Sequence, residues 1–270
     1  IYFYEIRSNL QNNMNNVEKE KKIKKIENAS GSMSFSDHLE ELRSRVLNSI
    51  YSVLICIFVS LLVVKPLIRF LEIPAKDIRL LQLAPGEFLF VAIKVAGYSG
   101  LIVSLPYIFY QIILFISPGL TSKEKSLLLP AFIGSGFLFL IGLIFSWWIL
   151  VPAAINFFVR FGAEIVEPSW SIERYFDFIL LLMTSTALAF QLPVLQFILG
   201  SLGIISTEKM LSNWRIVVIS SAILSAVITP STDPLTMSLL SISIVLLYFI
   251  GAGLTFLSET FKSRTLSSFH

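Results

Sequence analysis

Two short segments of the chain place charged side chains at the border of an apolar segment. The first is SDHLEELRSRVL at 36–47, where Asp37 can cap a helix and Glu40 completes a capping box. Two pairs of residues have the spacing of helical ion pairs: Glu40 with Arg43, and Glu41 with Arg45. On this interpretation the segment is a solvated helix end, and each of these ion pairs contributes only about 0.2–0.5 kcal/mol to its stability.

The second segment is FISPGLTSKEKSLLLP at 115–130. Pro118 and the glycine after it end one helix, and Ser122 can cap the next. Glu124 then falls in the first turn of that second helix, where the helix dipole favours an anion. Considered alone, this carboxylate needs no role beyond stabilising the helix.

The chemistry becomes more specific if both segments lie on the same face of a membrane. Glu41 and Glu124 would then present two carboxylates close to the apolar side chains of Phe115 and Leu120. Carboxylates bind guanidinium groups bidentately through charge-assisted hydrogen bonds. The pattern therefore predicts a site for a ligand with paired arginines followed by an apolar stretch.

Catalytic and cofactor-binding motifs are missing from the sequence. It contains only two histidines, His38 and His270, which excludes a zinc protease helix and an intramembrane Ser–His protease. It has no nucleophile elbow, P-loop or dinucleotide fingerprint, and no acid at the middle of an apolar segment. We therefore predict a protein that is not an enzyme and that needs no cofactor or metal.

One amide side chain lies inside an apolar segment. Gln191, in ALAFQLPVLQ, is followed two residues later by Pro193. Because an unsatisfied polar group within the membrane is costly, such a side chain usually faces protein or water. Two interpretations remain open: a hydrogen bond between helices beside a proline kink, or a polar contact for a partner or substrate.

These residues need a membrane-embedded scaffold to position them. The chain has 270 residues, of which 55% are hydrophobic and only 14% charged, and its mean hydropathy is +0.78. A soluble domain is usually about 25% charged, and the net charge of +3 is too small to indicate nucleic-acid binding. The fold class predicted is an all-α polytopic membrane protein with six transmembrane helices. The six segments are 46–64, 92–114, 128–150, 175–199, 216–229 and 235–257.

Charge in the loops predicts the orientation of these helices. If the N-terminus is cytoplasmic or stromal, that side carries 14 of the 21 Lys and Arg residues, which favours N-in and C-in. The fifth and sixth helices are predicted to be short and to form a hairpin, because only TPSTDP separates them. The membrane domain is predicted at 34–258. The polar tail before it (1–33) is expected to be disordered or a frayed helix, and a short C-terminal tail (259–270) follows it.

Several motifs occur in an order that resembles a known family, the C component of the twin-arginine protein translocase (TatC). The resemblance covers about residues 34–257, and its helix-end motifs, HLEELRxR and LPxxxYQxxxFxxPGLxxxEK, are highly specific. The matching segments are FSDHLEELRSRVL (35–47), KPL (65–67), SLPYIFYQIILFISPGLTSKEK (104–125), AFQLPV (189–194) and ITPSTDP (228–234).

The resemblance implies a membrane receptor for twin-arginine signal peptides of folded precursors. Such a receptor assembles into homo- and hetero-oligomers with single-span Tat subunits, and the proton gradient drives export. Gln191 holds a polar position that is Glu in many members, and TPSTDP is one residue longer than the common turn around its acid. By motif position, the signal-peptide-binding residues are Glu41, Glu124, Arg43, Phe115 and Leu120, and the structural or loop residues are Pro66, Pro118 and Asp233.

Composition also gives an expectation about the source. The Ile, Asn and Lys usage of the N-terminal tail and the 23 phenylalanines are typical of an AT-rich genome. We therefore expect a plastid-encoded protein of the thylakoid membrane, with a bacterial inner membrane as the alternative. The functional alternative is a small-solute transporter, which would need more polar groups along a midplane path than Gln191 and scattered Ser and Thr.

Overall fold

A computed structural model of the chain describes residues 35–76, 78–120, 125–162, 169–229 and 233–267. The described part is mostly helical, with one pair of short parallel strands, β1 (Arg79–Leu81) and β2 (Ser169–Ser171). The predicted tail at 1–33 and Glu124 lie outside the described residues. The helices are α1 (Phe35–Leu62), α2 (Val64–Leu71), α3 (Glu87–Ile116), α4 (Leu128–Phe145), α5 (Val151–Gly162), α6 (Ile172–Ala189), α7 (Leu192–Ser201), α8 (Thr207–Ser212), α9 (Trp214–Ile228) and α10 (Pro234–Ser267).

Five helical segments of the described chain are long and apolar enough to cross a membrane. The one near the fifth predicted position, α9, has 15 residues, so its shortness is confirmed. The expectation that the sixth helix is also short was wrong, because α10 continues for 34 residues. The polar C-terminal end of α10 contains no proline or glycine that would end the helix. The helix also packs against both α7 and α9. The five segments are Ser36–Leu62, Glu87–Ile116, Leu128–Phe161, Ile172–Ser201 and Pro234–Thr260.

Prolines set the breaks between consecutive helices. Pro66 has no N–H to donate, and in a continuous helix its ring would clash with the carbonyl of the residue four positions earlier. That residue is Leu62, the last residue of α1. Pro193 has the same relation to Ala189, the last residue of α6, and α7 begins at Leu192. Pro66 therefore lies at the break between α1 and α2, and its role in the first long connection stays a prediction.

The core lies among α2, α3, α5 and α6, and α1 is outside it. Phe176, Ile179 and Val91 are fully buried there, and the Tyr175 hydroxyl donates a hydrogen bond to the Leu71 carbonyl over 2.8 Å. In α1, by contrast, only Ser60 has a buried side chain among the residues whose burial is described. The first helix is therefore attached to the bundle almost entirely through α3.

The two ends of the bundle differ in how they are closed. At one end, which we call the Glu87 end, the Glu87 carboxylate accepts hydrogen bonds from the backbone N–H groups of Leu83, Ala84 and Glu173 and from the Ser171 hydroxyl. This buried side chain ties the start of α3 to the β1–β2 pair and to α6. The opposite end, the Glu41 end, contains the start of α1 and the end of α3.

Candidate functional site

The candidate site at the Glu41 end is built on one face of α1. Glu41 and Arg45 form the predicted ion pair, with Arg45 Nη2 3.2 Å from Glu41 Oε1. The other terminal nitrogen, Arg45 Nη1, donates to Gln111 Oε1 on α3, also over 3.2 Å. Gln111 is buried, so this hydrogen bond fixes Arg45 against the neighbouring helix.

The second carboxylate oxygen of Glu41 is left without a partner. Glu41 Oε2 is buried and accepts no hydrogen bond from any described residue. A carboxylate can accept several hydrogen bonds, and an unsatisfied buried oxygen costs free energy. The Glu41 carboxylate therefore retains a strong acceptor that no described residue uses.

An aromatic contact closes the same end of the groove between the two helices. The rings of His38 and Phe115 stack with centroids 4.5 Å apart and planes inclined by 19°. His38 lies one helical turn before Glu41, and Phe115 one turn after Gln111, so all four lie where α1 and α3 meet. Phe115 thus stacks on His38, one helical turn from Glu41, while the participation of His38 and Gln111 was missed from the sequence.

An apolar groove of about 430 Å³ extends from this polar cluster along α1 and α3. Arg45 and Gln111 belong to its lining, and most of the other lining residues are aliphatic. A ligand held at Glu41 could therefore continue into the groove with an apolar segment. The aliphatic walls include Val46, Ile50 and Leu54 of α1 and Ile108 and Ile112 of α3.

The other predicted members of this surface behave differently. Arg43 is exposed, and it forms no ion pair with Glu40 in the described part of the chain. Leu120 is buried, and with Ala131 and Phe197 it lines a small gap beside α7, so it anchors the connection after α3. Pro118 lies in the 3₁₀ turn Ser117–Gly119 that ends α3.

Gln191 is buried at the break between α6 and α7. Its Nε2 donates to the Ser135 carbonyl over 3.3 Å, whereas Oε1 has no partner among the described residues. Of the two interpretations open from the sequence, the hydrogen bond between helices is the one formed in this structure.

Asp233 caps the last helix. Its carboxylate accepts the Thr236 N–H over 2.8 Å and also the Thr236 hydroxyl, and Pro234 occupies the first helical position. Both features are typical of a helix N-terminus. The acid of the fifth connection is therefore buried and holds the start of α10.

A charged cluster that the sequence did not reveal lies near the Glu87 end. Lys94 Nζ of α3 is 2.7 Å from Glu173 Oε1 and 2.8 Å from Asp177 Oδ1, both on α6. The three side chains are each about a third or more exposed. The sequence contains one indication of this cluster: Glu173 and Asp177 are four residues apart, so the two acids share one face of α6.

Fold and site together define a polytopic helical membrane protein with a guanidinium-compatible carboxylate at one end. Residues 37–242 match the family model for the Sec-independent protein translocase protein TatC. The chain belongs to the TatC family, whose members are non-enzymatic components of a protein translocase that also contains other Tat subunits.

Relatives from a cyanobacterium, a plant and an alga are similar over most of the chain. A TatC protein of Synechocystis sp. is 53% identical over 221 residues, which cover 82% of this chain and 87% of the relative. The chloroplastic TATC of Arabidopsis thaliana is 50% identical over 222 residues, which cover 82% of this chain and 65% of the relative. An uncharacterized tatC-like protein of Guillardia theta is 53% identical over 228 residues, or 84% of this chain and 78% of its own.

A solved structure has the same fold. The crystal structure of a twin-arginine translocase receptor, TatC, is 32% identical and superposes with a TM-score of 0.73 over 82% of this chain and 99% of that chain. With cyanobacterial and chloroplast relatives, the chain is a multi-pass protein of a thylakoid or bacterial inner membrane. The small-solute transporter considered as an alternative is not favoured by these similarities.

Proposed function

We propose that this protein is a receptor that binds twin-arginine signal peptides of folded precursors at the Glu41 end of α1. The observation that carries the proposal is the unpartnered Oε2 of Glu41, whose other oxygen pairs with Arg45, a residue that lines the apolar groove. A signal-peptide arginine would donate to this oxygen, and the apolar stretch that follows it would enter the groove. Glu124, outside the described residues, is the proposed acceptor for the second arginine.

The chemistry of the site explains why it would select arginine. A guanidinium presents several donors in a planar fork, whereas a lysine ammonium is a strongly hydrated point charge. One nitrogen of an incoming guanidinium can bind Glu41 Oε2 while another reaches a second acceptor. Phe115 and His38 would border the ligand, and exposed Arg43 would contribute at the rim.

Topology and assembly complete the proposal. Six membrane passages, α9 being the shortest, would put both termini on the cytoplasmic or stromal side, where most Lys and Arg residues fall. Precursor binding would then lead to assembly with further copies and with single-span Tat subunits, and the proton gradient would drive export. A thylakoid membrane is the location we propose.

The test is signal-peptide binding by the purified protein in lipid nanodiscs. Replacing Glu41 by Gln keeps the shape of the side chain but removes its charge. A hydrogen bond to a charged group contributes about 1.5–3 kcal/mol, so we expect affinity to fall roughly 10- to 100-fold. The readout is fluorescence anisotropy of a labelled twin-arginine peptide.

Glu40→Gln is the matched control, because Glu40 is the adjacent residue, is exposed and forms no ion pair with a described residue. A twin-lysine peptide is the ligand control and should bind wild-type protein weakly. If Glu41→Gln and Glu40→Gln bind the twin-arginine peptide with equal affinity, the assignment of Glu41 is wrong.

A further inference from the structure

A second surface, at the Glu87 end, has no part in the proposed signal-peptide site. It lies on α5, the helix that continues α4 beyond a single π turn at Ser146–Leu150. The opposite face of α5 is buried through Val151, Ala154 and Ile155. The outer face forms a stripe with the i, i+3, i+4, i+7 spacing of one helix face: Ala153, Asn156, Phe157 and Arg160.

This stripe forms one wall of a groove of about 510 Å³. Leu235, in the first turn of α10, and Phe161 also line the groove. The rings of Phe157 and Phe161 stack with centroids 5.5 Å apart. The groove therefore has apolar and aromatic walls but contains two polar side chains, Asn156 and Arg160.

The described residues supply no counter-ion for the charge in the groove. Arg160 is exposed, and no carboxylate of the described residues lies within 4 Å of its guanidinium. Asn156 is one turn earlier on the same face, a separation at which side chains are neighbours. The guanidinium and the amide can thus donate hydrogen bonds to the same anionic group.

The depth of the groove indicates what kind of anion would reach it. The apolar segment Leu128–Phe161 has 34 residues, a length of about 51 Å, whereas the hydrocarbon core is about 30 Å thick. Its last turns therefore extend into the headgroup layer. Phe161 is 83% exposed there, and an exposed aromatic beside an arginine is typical of a segment at the membrane interface.

We propose that this groove binds the headgroup of an anionic phospholipid from the leaflet at the Glu87 end. Arg160 and Asn156 would donate to the non-bridging oxygens of the lipid phosphate. Phe157, Phe161 and Leu235 would cover the glycerol and the upper part of an acyl chain. The proposal is independent of the signal-peptide site, which lies at the other end of the bundle.

The experiment is native mass spectrometry of the full chain released from detergent with phosphatidylglycerol or phosphatidylcholine. We expect wild-type protein to retain phosphatidylglycerol preferentially, and Arg160→Gln to weaken that retention about tenfold, the effect of losing one charge-assisted hydrogen bond. Asn156→Ala should weaken it less. Thermal unfolding of each variant in detergent checks that the fold is retained.

Arg174→Gln is the matched control. Arg174 is an exposed arginine in the first turn of α6, near the same end of the bundle but outside the groove. Equal losses for Arg160→Gln and Arg174→Gln would mean general surface electrostatics and would overturn the proposal. Equal retention of both lipids by wild-type protein would also overturn the proposal, because the groove would then have another occupant. Displacement of the lipid by millimolar inorganic phosphate would overturn it too, because the groove would then be a site for free anions.

Discussion

α1 and α3 approach each other closely at Gly100, and a methyl group there should disturb the hydrogen bond of Gln111, about 16 Å further along α3. A Cβ at position 100 would lie 2.6 Å from both the Cα and the N of Ile57. Carbon atoms in contact are normally about 3.5–4.0 Å apart. Because the clash is with backbone, a rotamer change cannot relieve it, and Gly100→Ala must separate the helices by about 1 Å.

The consequence for the site follows from how α1 is attached. Among the described residues the helix rests almost entirely on α3, so little else holds it in place when that contact opens. The hydrogen bond from Arg45 to Gln111 is already 3.2 Å long, and a further ~1 Å takes it beyond the range of a hydrogen bond. Overpacking of this kind typically costs about 1–3 kcal/mol.

We therefore expect Gly100→Ala to lower the midpoint of thermal unfolding in detergent and to weaken twin-arginine peptide binding at least threefold. Gly97→Ala is the matched control, since a Cβ at position 97 of the same helix meets nothing within 4 Å. It should be neutral or slightly stabilising, because Ala favours a helix over Gly by about 1 kcal/mol. If both variants unfold and bind alike, the helix contact does not control the site.

Two further predictions concern the Glu87 end. Lys94→Met should lower the free energy of unfolding by roughly 1 kcal/mol, because Glu173 and Asp177 lose their shared cation while staying partly hydrated. Adding Asp177→Asn to this variant should recover part of the loss in a thermal unfolding assay. A further loss of stability in the double variant would contradict the pairing. Asp233→Ala should cost about 1 kcal/mol through loss of the cap on α10, and Asp233→Asn much less. Similar unfolding midpoints for the Asp233 variants would show that the Thr236 hydrogen bonds contribute little.

Hydropathy and proline positions were sufficient to predict most of the helices. Long apolar segments need a helix to satisfy their backbone within a membrane, and this requirement is local to the segment. The breaks after α1 and α6 follow from Pro66 and Pro193 by the same local logic. The length of α10 was missed because hydropathy marks where a chain leaves the hydrocarbon, and a helix can continue into water.

The choice between two arginines shows where the sequence was insufficient. Arg43 and Arg45 both had an acid at helical spacing, but successive helix positions are about 100° apart, so the two arginines point in nearly opposite directions. The half-buried positions His38, Glu41, Arg45 and Ser49 mark the side of α1 that faces α3. Hydropathy alone does not reveal that side, because lipid-facing and protein-facing residues of a membrane helix are both apolar.

Contacts between distant segments could not be predicted from local sequence patterns for the same reason. Arg45 and Gln111 are 66 residues apart, and Lys94 and Asp177 are 83 apart. Each pair depends on which helices are neighbours and on their relative rotation. The sequence indicated which residues were polar and at which end of a helix they lay, while packing decided which of them met.

Gln111 explains why Glu41 keeps an oxygen available. An arginine fork can bind both oxygens of one carboxylate, and such a bidentate pair would leave Glu41 nothing to offer a ligand. Here the two terminal nitrogens of Arg45 are divided, Nη2 to Glu41 Oε1 and Nη1 to Gln111 Oε1. Arg45 can therefore orient the Glu41 carboxylate without saturating it. Arg45 thus holds the carboxylate in place, and its second oxygen has no partner among the described residues and can serve the proposed ligand arginine.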